Sequence, residues 1–128
     1  MRLVSDPVFG EVDLTASAEE LADLAYAVAE GDGFIGSTSS PDGRTLAGIE
    51  ARKASGPGVR IELDASRQVL VISGDAGARA ILAGNLKAMA TAEDGGHLHI
   101  DHFPEHPYLV EGSVPMVVNS PHGGMPTR

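Results

Sequence analysis

Four of the five histidines in this 128-residue chain, His97, His99, His102 and His106, fall within ten consecutive positions, and the fifth is His122. The segment His97-Leu98-His99-Ile100-Asp101-His102 alternates polar and apolar residues. A period of two predicts a strand, with Leu98 and Ile100 on one face and His97, His99 and Asp101 on the other. Same-face residues two apart lie about 7 Å apart at Cα, so two imidazoles can converge on one Zn²⁺. Asp101 or His106 would then supply a third ligand. The simpler reading of the same pattern is a solvated polar sheet face without an ion, because dedicated sites usually draw a ligand from elsewhere in the fold.

The hexad also matches HxHxDH, the metal signature of metallo-β-lactamase-like hydrolases. That fold needs a longer chain, distant further ligands and a helix directly after the motif. Here Phe103-Pro104-Glu105-His106-Pro107 follows, which cannot begin a regular helix. A His–Asp pair can serve acid–base chemistry, but no nucleophile accompanies it. There is no cysteine, no GxSxG elbow and no phosphate-binding glycine loop. Gly31-Asp32-Gly33 and the stretch 37–43 read as turns.

Bulk composition narrows the classes further. The length suits one domain with a core that needs no covalent staple. Absence of cysteine excludes a disulfide framework and a thiolate metal site. No signal-peptide pattern and no long apolar span is visible, so the expected location is cytoplasmic and no membrane association is expected. Eighteen acidic and nine basic residues give a net charge of −9. The basic residues are scattered and the aromatics few, so no nucleic-acid partner is expected. An acidic surface suits a basic partner, or solubility alone.

These residues must be held by an ordered framework. Residues 8–15 read as a strand. Ser17 and Glu20 have capping-box spacing, and Leu21, Leu24, Ala25 and Val28 repeat as one helical face over Ala18 to Glu30, closed by Gly31. Residues 33–45 are rich in Gly and Ser and read as a loop. Strands are expected over 46–53, 59–64 and 68–73, and their short connections suggest an antiparallel meander. Residues 69–72 are apolar on both faces and suit a central strand. Asp75 can cap a second helix over 76–92, with Ile81, Leu82, Leu86 and Met89 as its stripe and Gly84 allowing close packing on the sheet. A turn over 93–96, the histidine strand, a Pro-rich loop and a last strand over 114–118 follow. Pro115 marks that last strand as an edge or its beginning.

The segments 12–33 and 69–96 align loosely as strand-helix-turn units. The expected fold class is therefore α+β: a two-layer sandwich of about five to six mainly antiparallel strands with both helices on one face. Residues 1–118 form this single domain of two loosely similar halves, and 119–128 a flexible tail. Leu98 and Ile100 would face the helices. His97, His99 and Asp101 would stand on the open face, beside Arg60, Glu62 and Asp64 of another strand.

From Val69 to Asn119 the chain resembles the immunity protein 32 family. The resemblance rests on a Leu- and Ala-rich helix (82–92), the His-x-His-x-Asp strand (97–101), an aromatic-Pro-x-His-Pro-Tyr loop (103–108) and a Ser-x-Pro-aliphatic strand (113–118). His102 stands where an aromatic residue is expected. The resemblance implies a small α+β inhibitor that neutralises a toxin of a bacterial polymorphic toxin system. On that reading the chain is not an enzyme, needs no cofactor or metal, and binds a basic toxin domain. Its contacts would be His97, His99, Asp101, His106 and Tyr108, with Pro104 and Pro107 pre-organising the loop. The second reading is a small metal-binding protein or metal-dependent hydrolase that uses His97, His99 and Asp101. A third is a structural domain whose histidines only pack.

Overall fold

The structure, a computed structural model, describes residues 1–5, 10–37, 45–55, 57–91 and 97–119. Eight strands and two helices occupy this part of the chain. They are β1 (Arg2–Ser5), β2 (Val12–Thr15), α1 (Ala18–Glu30), β3 (Asp32–Gly36), β4 (Gly48–Lys53), β5 (Val59–Asp64), β6 (Val69–Gly74), α2 (Ala76–Thr91), β7 (His97–Ile100) and β8 (Met116–Asn119). The element order ββαββ thus runs twice.

The α+β class holds, but the strands form two sheets rather than one. Sheet A has the order β1-β2-β8-β7 and sheet B the order β3-β4-β6-β5. Both are mixed. The central pairs, β2 with β8 and β4 with β6, run parallel, and each outer strand is antiparallel to its neighbour. Each half of the chain gives one hairpin to each sheet. The expected meander of β4, β5 and β6 is therefore corrected. The β5–β6 hairpin forms, yet β6 lies between β4 and β5. The five residues from Ala54 to Gly58 can span the two strand spacings involved, about 10 Å.

Helix α1 covers the range its periodicity predicts. The Ser17 side chain accepts from the Glu20 N–H while the Glu20 carboxylate accepts from the Ser17 N–H, at 3.1 and 2.9 Å. Gly31 ends the helix in the left-handed region at φ 73°, donating to the carbonyls of Ala27 and Val28. Asp75 caps α2 by accepting from Ala78 N–H at 2.8 Å. The helices pack on each other, with α1 also over β3 and β4 and α2 over β6. Their inner faces join one apolar core with both sheets: Leu21, Leu24, Val28, Leu82 and Leu86 meet Leu3, Leu14, Ile100, Met116 and Val118 from sheet A and Ile49, Ile61, Leu70 and Ile72 from sheet B.

Other expectations are revised in detail. Residues 32–36 form β3, although 33–45 reads as a loop. Residues 38–44 lie outside the described residues, as do 6–9, the turn 93–96 and the tail beyond 119. Strand β1 is not among the sequence expectations, which begin at residue 8. Ile81, assigned to the apolar stripe of α2, is exposed. Gly84 is exposed and meets nothing that a Cβ would touch, so it serves no close packing on a sheet. Arg79 is buried instead. Its guanidinium donates to the carbonyls of Gly74, Val28 and Ala29 at 2.8, 3.1 and 2.7 Å, closing the C-terminal end of α1 from the first turn of α2.

Candidate functional site

The histidine strand is β7, the outer strand of sheet A, paired antiparallel with β8. Alternation places its side chains as the sequence predicts. His97 and His99 are exposed, Leu98 packs against the core and Ile100 is fully buried. Their neighbours on the outer face come from sheet A itself. Register rows run Arg2, Thr15, Asn119, His97 and Val4, Asp13, Val117, His99. Arg60, Glu62 and Asp64 belong to β5 in the other sheet, so they do not flank the histidines.

Asn119 ties the outer face together. Its amide nitrogen donates to Asp13 Oδ1, Thr15 Oγ1 and the Leu14 carbonyl at 2.6, 3.1 and 3.2 Å. Its amide oxygen therefore points to His97 and accepts from His97 Nδ1 at 2.6 Å. That contact fixes the His97 ring and leaves Nε2 turned to solvent. The His99 ring stands edge-on to it, 6.2 Å away between centroids. Sequence reasoning placed Asn119 in the flexible tail, whereas it closes β8. Its hub role depends on the parallel pairing of β2 with β8, which no local pattern announces.

Beyond β7 the loop folds on His106. The His106 Nδ1 accepts from the backbone N–H groups of Tyr108 and Leu109 at 3.2 and 3.0 Å, so this nitrogen is unprotonated. Burial pushes the His106 pKa down, the nearby His102 adds to that, and Asp101 opposes it. Phe103 packs on His106 at 4.7 Å between centroids, and Tyr108 meets the ring edge-on at 4.6 Å. Glu105 adopts a left-handed φ of 69° to turn this corner.

Tyr108, expected as a contact, does not face solvent. It is 7% exposed and belongs to the core. Burial raises its hydroxyl pKa, opposed by a hydrogen bond with Asn85. The loop's exposed aromatic is Phe103, at 54%. An aromatic's burial depends on which way the loop turns, and the sequence pattern carries no sign of that. Ser113 also faces inward, accepting from Ile61 N–H at 3.1 Å. The Pro115 carbonyl accepts from Val12 N–H at 2.9 Å at the start of β8, a central strand. Pro115 thus marks a strand beginning rather than an edge.

The metal reading of His97, His99 and Asp101 finds no support. Among the described residues no three His, Asp or Glu side chains come together in a way that would hold an ion. His122 lies outside the described residues. Among the described residues, no helix is long and apolar enough to cross a membrane.

Charge is distributed differently over the histidine segment and over sheet B. Residues 97–119 include Asp101, Glu105 and Glu111 but neither Lys nor Arg. On sheet B, the Glu50 carboxylate accepts from both Arg52 and Arg67, at 2.8 and 2.9 Å, and Arg67 donates to Asp64 at 2.7 Å. These bonds to Arg52 and Arg67 hold Glu50 below the usual carboxylate range, and those to Arg67 and Ser66 hold Asp64 at about 2.

No curated protein and no solved structure matches the chain. Residues 69–121, however, match the family model of immunity protein 32, the family that the histidine strand and its loop resemble.

Proposed function

We propose that this chain is an immunity protein that binds and neutralises a bacterial toxin without catalysing a reaction. The observation that carries the reading is a coincidence of two features. The family-matched segment, 69–121, contains the stretch 97–119, whose charged residues are all acidic. A net charge of −9 favours fast association with a basic toxin domain. The contact surface is the outer face of β7 and the loop after it: His97, His99 and Asp101, with Phe103 as the exposed aromatic. His106 and Tyr108 hold that loop in shape from beneath. The protein acts in the cytoplasm, where a toxin would otherwise reach its target.

The test is growth protection. A candidate toxin from an open reading frame adjacent to this chain's gene is expressed alone and together with the chain. Co-expression is expected to restore growth, and the two purified proteins to form a complex whose association slows as salt rises from about 50 to 500 mM, where the Debye length shrinks from about 14 to 4 Å. Toxicity unchanged by co-expression, with no complex formed, would sink the reading.

A further inference from the structure

Two sheets of four strands have four edges, and the structure treats them differently. The β1 edge is covered by the approach to β4, where Leu46 N–H donates to the Leu3 carbonyl at 3.0 Å and Val4 bridges Thr45. The β5 edge is covered by the approach to β8. There Val59 N–H donates to the Tyr108 carbonyl, Val110 N–H to the Val59 carbonyl and Val114 N–H to the Ile61 carbonyl, at 2.7, 2.9 and 2.8 Å. The β3 edge is irregular, since Gly33 sits at φ 142° and Gly36 ends the strand. Such an edge is a poor template for a further strand. The β7 edge is regular, and among the described residues no backbone group pairs with it.

The hydrogen-bond phase says which groups this edge offers. Val12 N–H donates to the Pro115 carbonyl, so residues 115, 117 and 119 of the last strand direct their backbone polar groups to β2. Met116 and Val118 direct theirs to β7, where they pair with Ile100 and Leu98. The N–H and C=O groups of His97 and His99 therefore point away from β8, where no described residue pairs with them. Such a row can receive another strand. The half-buried Leu98 offers an apolar contact on one side of the edge, and the exposed Asp101 a negative charge at its end.

We infer that the free edge of β7 accepts an extended segment of a basic partner protein as a fifth strand of sheet A. This inference rests on the immunity reading and specifies how the toxin is held. Charge selects the occupant. The stretch 97–119 holds three carboxylates and no cation, so a segment with lysine or arginine near Asp101 is attracted, whereas a second copy of this net-negative chain is repelled. Main-chain bonds to His97 and His99 provide the attachment, and the outer-face side chains adjust selectivity.

The test uses the full chain and the purified, catalytically inactivated domain of the candidate toxin identified by the protection assay. Hydrogen exchange of the wild-type chain should show the amides of His97 and His99 exchanging freely alone and slowly in the complex. The variant His99→Pro removes one outward N–H without removing a β7–β8 bond, and Pro is tolerated at such an edge position. It should weaken binding about ten- to hundredfold, the loss of one or two main-chain bonds at the edge. His99→Ala, which keeps the N–H, should bind within a few-fold of wild type. If the toxin binds wild-type chain while both amides still exchange freely, or if His99→Pro binds as His99→Ala does, the edge inference is overturned and the immunity reading stands. If wild-type chain fails to bind the toxin domain, both fall. If the two amides are instead protected in the free protein at high concentration and a dimer sediments, the occupant is a second copy and the inference is likewise overturned.

Discussion

In sheet B the outward row Phe34, Glu50, Val71, Glu62 is crossed by ion pairs, because Glu50 accepts from Arg52 and Arg67, and Arg67 also reaches Asp64. In sheet A the matching row Val4, Asp13, Val117, His99 contains no cation, and the polar side chains beside it are linked by the neutral hub Asn119. The two sheets share strand order and pairing pattern. Their difference lies in the outer side chains and in the edges. Sheet B carries an ion-pair ladder through Glu50, Arg52, Arg67 and Asp64. Sheet A carries no such ladder among the described residues, and it leaves the β7 edge with Asp101 at its end for something outside the molecule. An architecture used twice has been given a cross-linked outer face once and an open edge once.

The largest effect should come from Tyr108. Tyr108→Ala empties a buried site beneath the loop that covers the β5 edge. The cost should be about 3–5 kcal/mol, as for other large aromatic truncations in cores. Denaturant unfolding measures it. A loss near zero would mean that Tyr108 faces solvent, and would restore it as a candidate contact.

Arg79→Met comes next. It leaves the carbonyls of Val28, Ala29 and Gly74 without the donors that Arg79 provides. Because no acidic partner is stranded, the cost should be about 2–4 kcal/mol. It should fall on the helix pair, leaving the outer faces of both sheets unchanged in hydrogen exchange. Arg79 also shows where sequence reading stops. An arginine one turn into an amphipathic helix reads as solvated. Only the position of another helix's C-terminal end, 50 residues earlier in the chain for Ala29, turns it inward.

The same distinction divides what was legible. Helix α1 was visible to the residue because capping box, apolar period and glycine stop are all local. Strand β5 and the outward direction of His97 and His99 were visible because alternation is local too. The split into two sheets was hidden. It depends on parallel pairs such as Val12 with Met116, which follow from contacts across the whole chain. The metal alternative finds no support among the described residues for a related reason: spacing along one strand brings two histidines near each other, but here no third ligand joins them.

A smaller effect should appear in acid. The unprotonated Nδ1 of His106 holds the backbone N–H groups of Tyr108 and Leu109, and a protonated ring cannot accept them. With its folded-state pKa lowered below 6.5, His106 contributes its full stability above about pH 6.5 and loses it as pH falls through the lower folded value. The Tyr108 and Leu109 amides should exchange faster, after correction for intrinsic rates, at pH 5 than at about pH 7.5. His106→Asn, which can accept with its side-chain oxygen, should flatten the dependence.

The smallest effect on stability should come from the ion pairs of sheet B, and it sharpens the contrast between the sheets most directly. Asp64, Glu50 and Arg67 are at the surface, where salt and side-chain entropy offset most of the attraction. Asp64→Asn should therefore barely shift the melting temperature. The Asp64 carboxylate resonance should titrate near 2 in the wild type. Sign follows from the lowered value: the contribution of Asp64 is complete above its unfolded pKa of 3.8 and fades only as the pH drops toward about 2. Between pH 5 and 8 the ladder should stay closed and inert. Toxin association should be equally indifferent to Arg67→Gln, whereas Asp101→Lys should slow it several-fold, since rim charges act mainly on the on-rate. Faster association of Arg67→Gln, which makes the chain more negative, together with slower association of Asp101→Lys, which makes it less negative, would mean that the partner senses only the net charge. The ion-paired face of sheet B and the β7 edge of sheet A would then be equivalent to it.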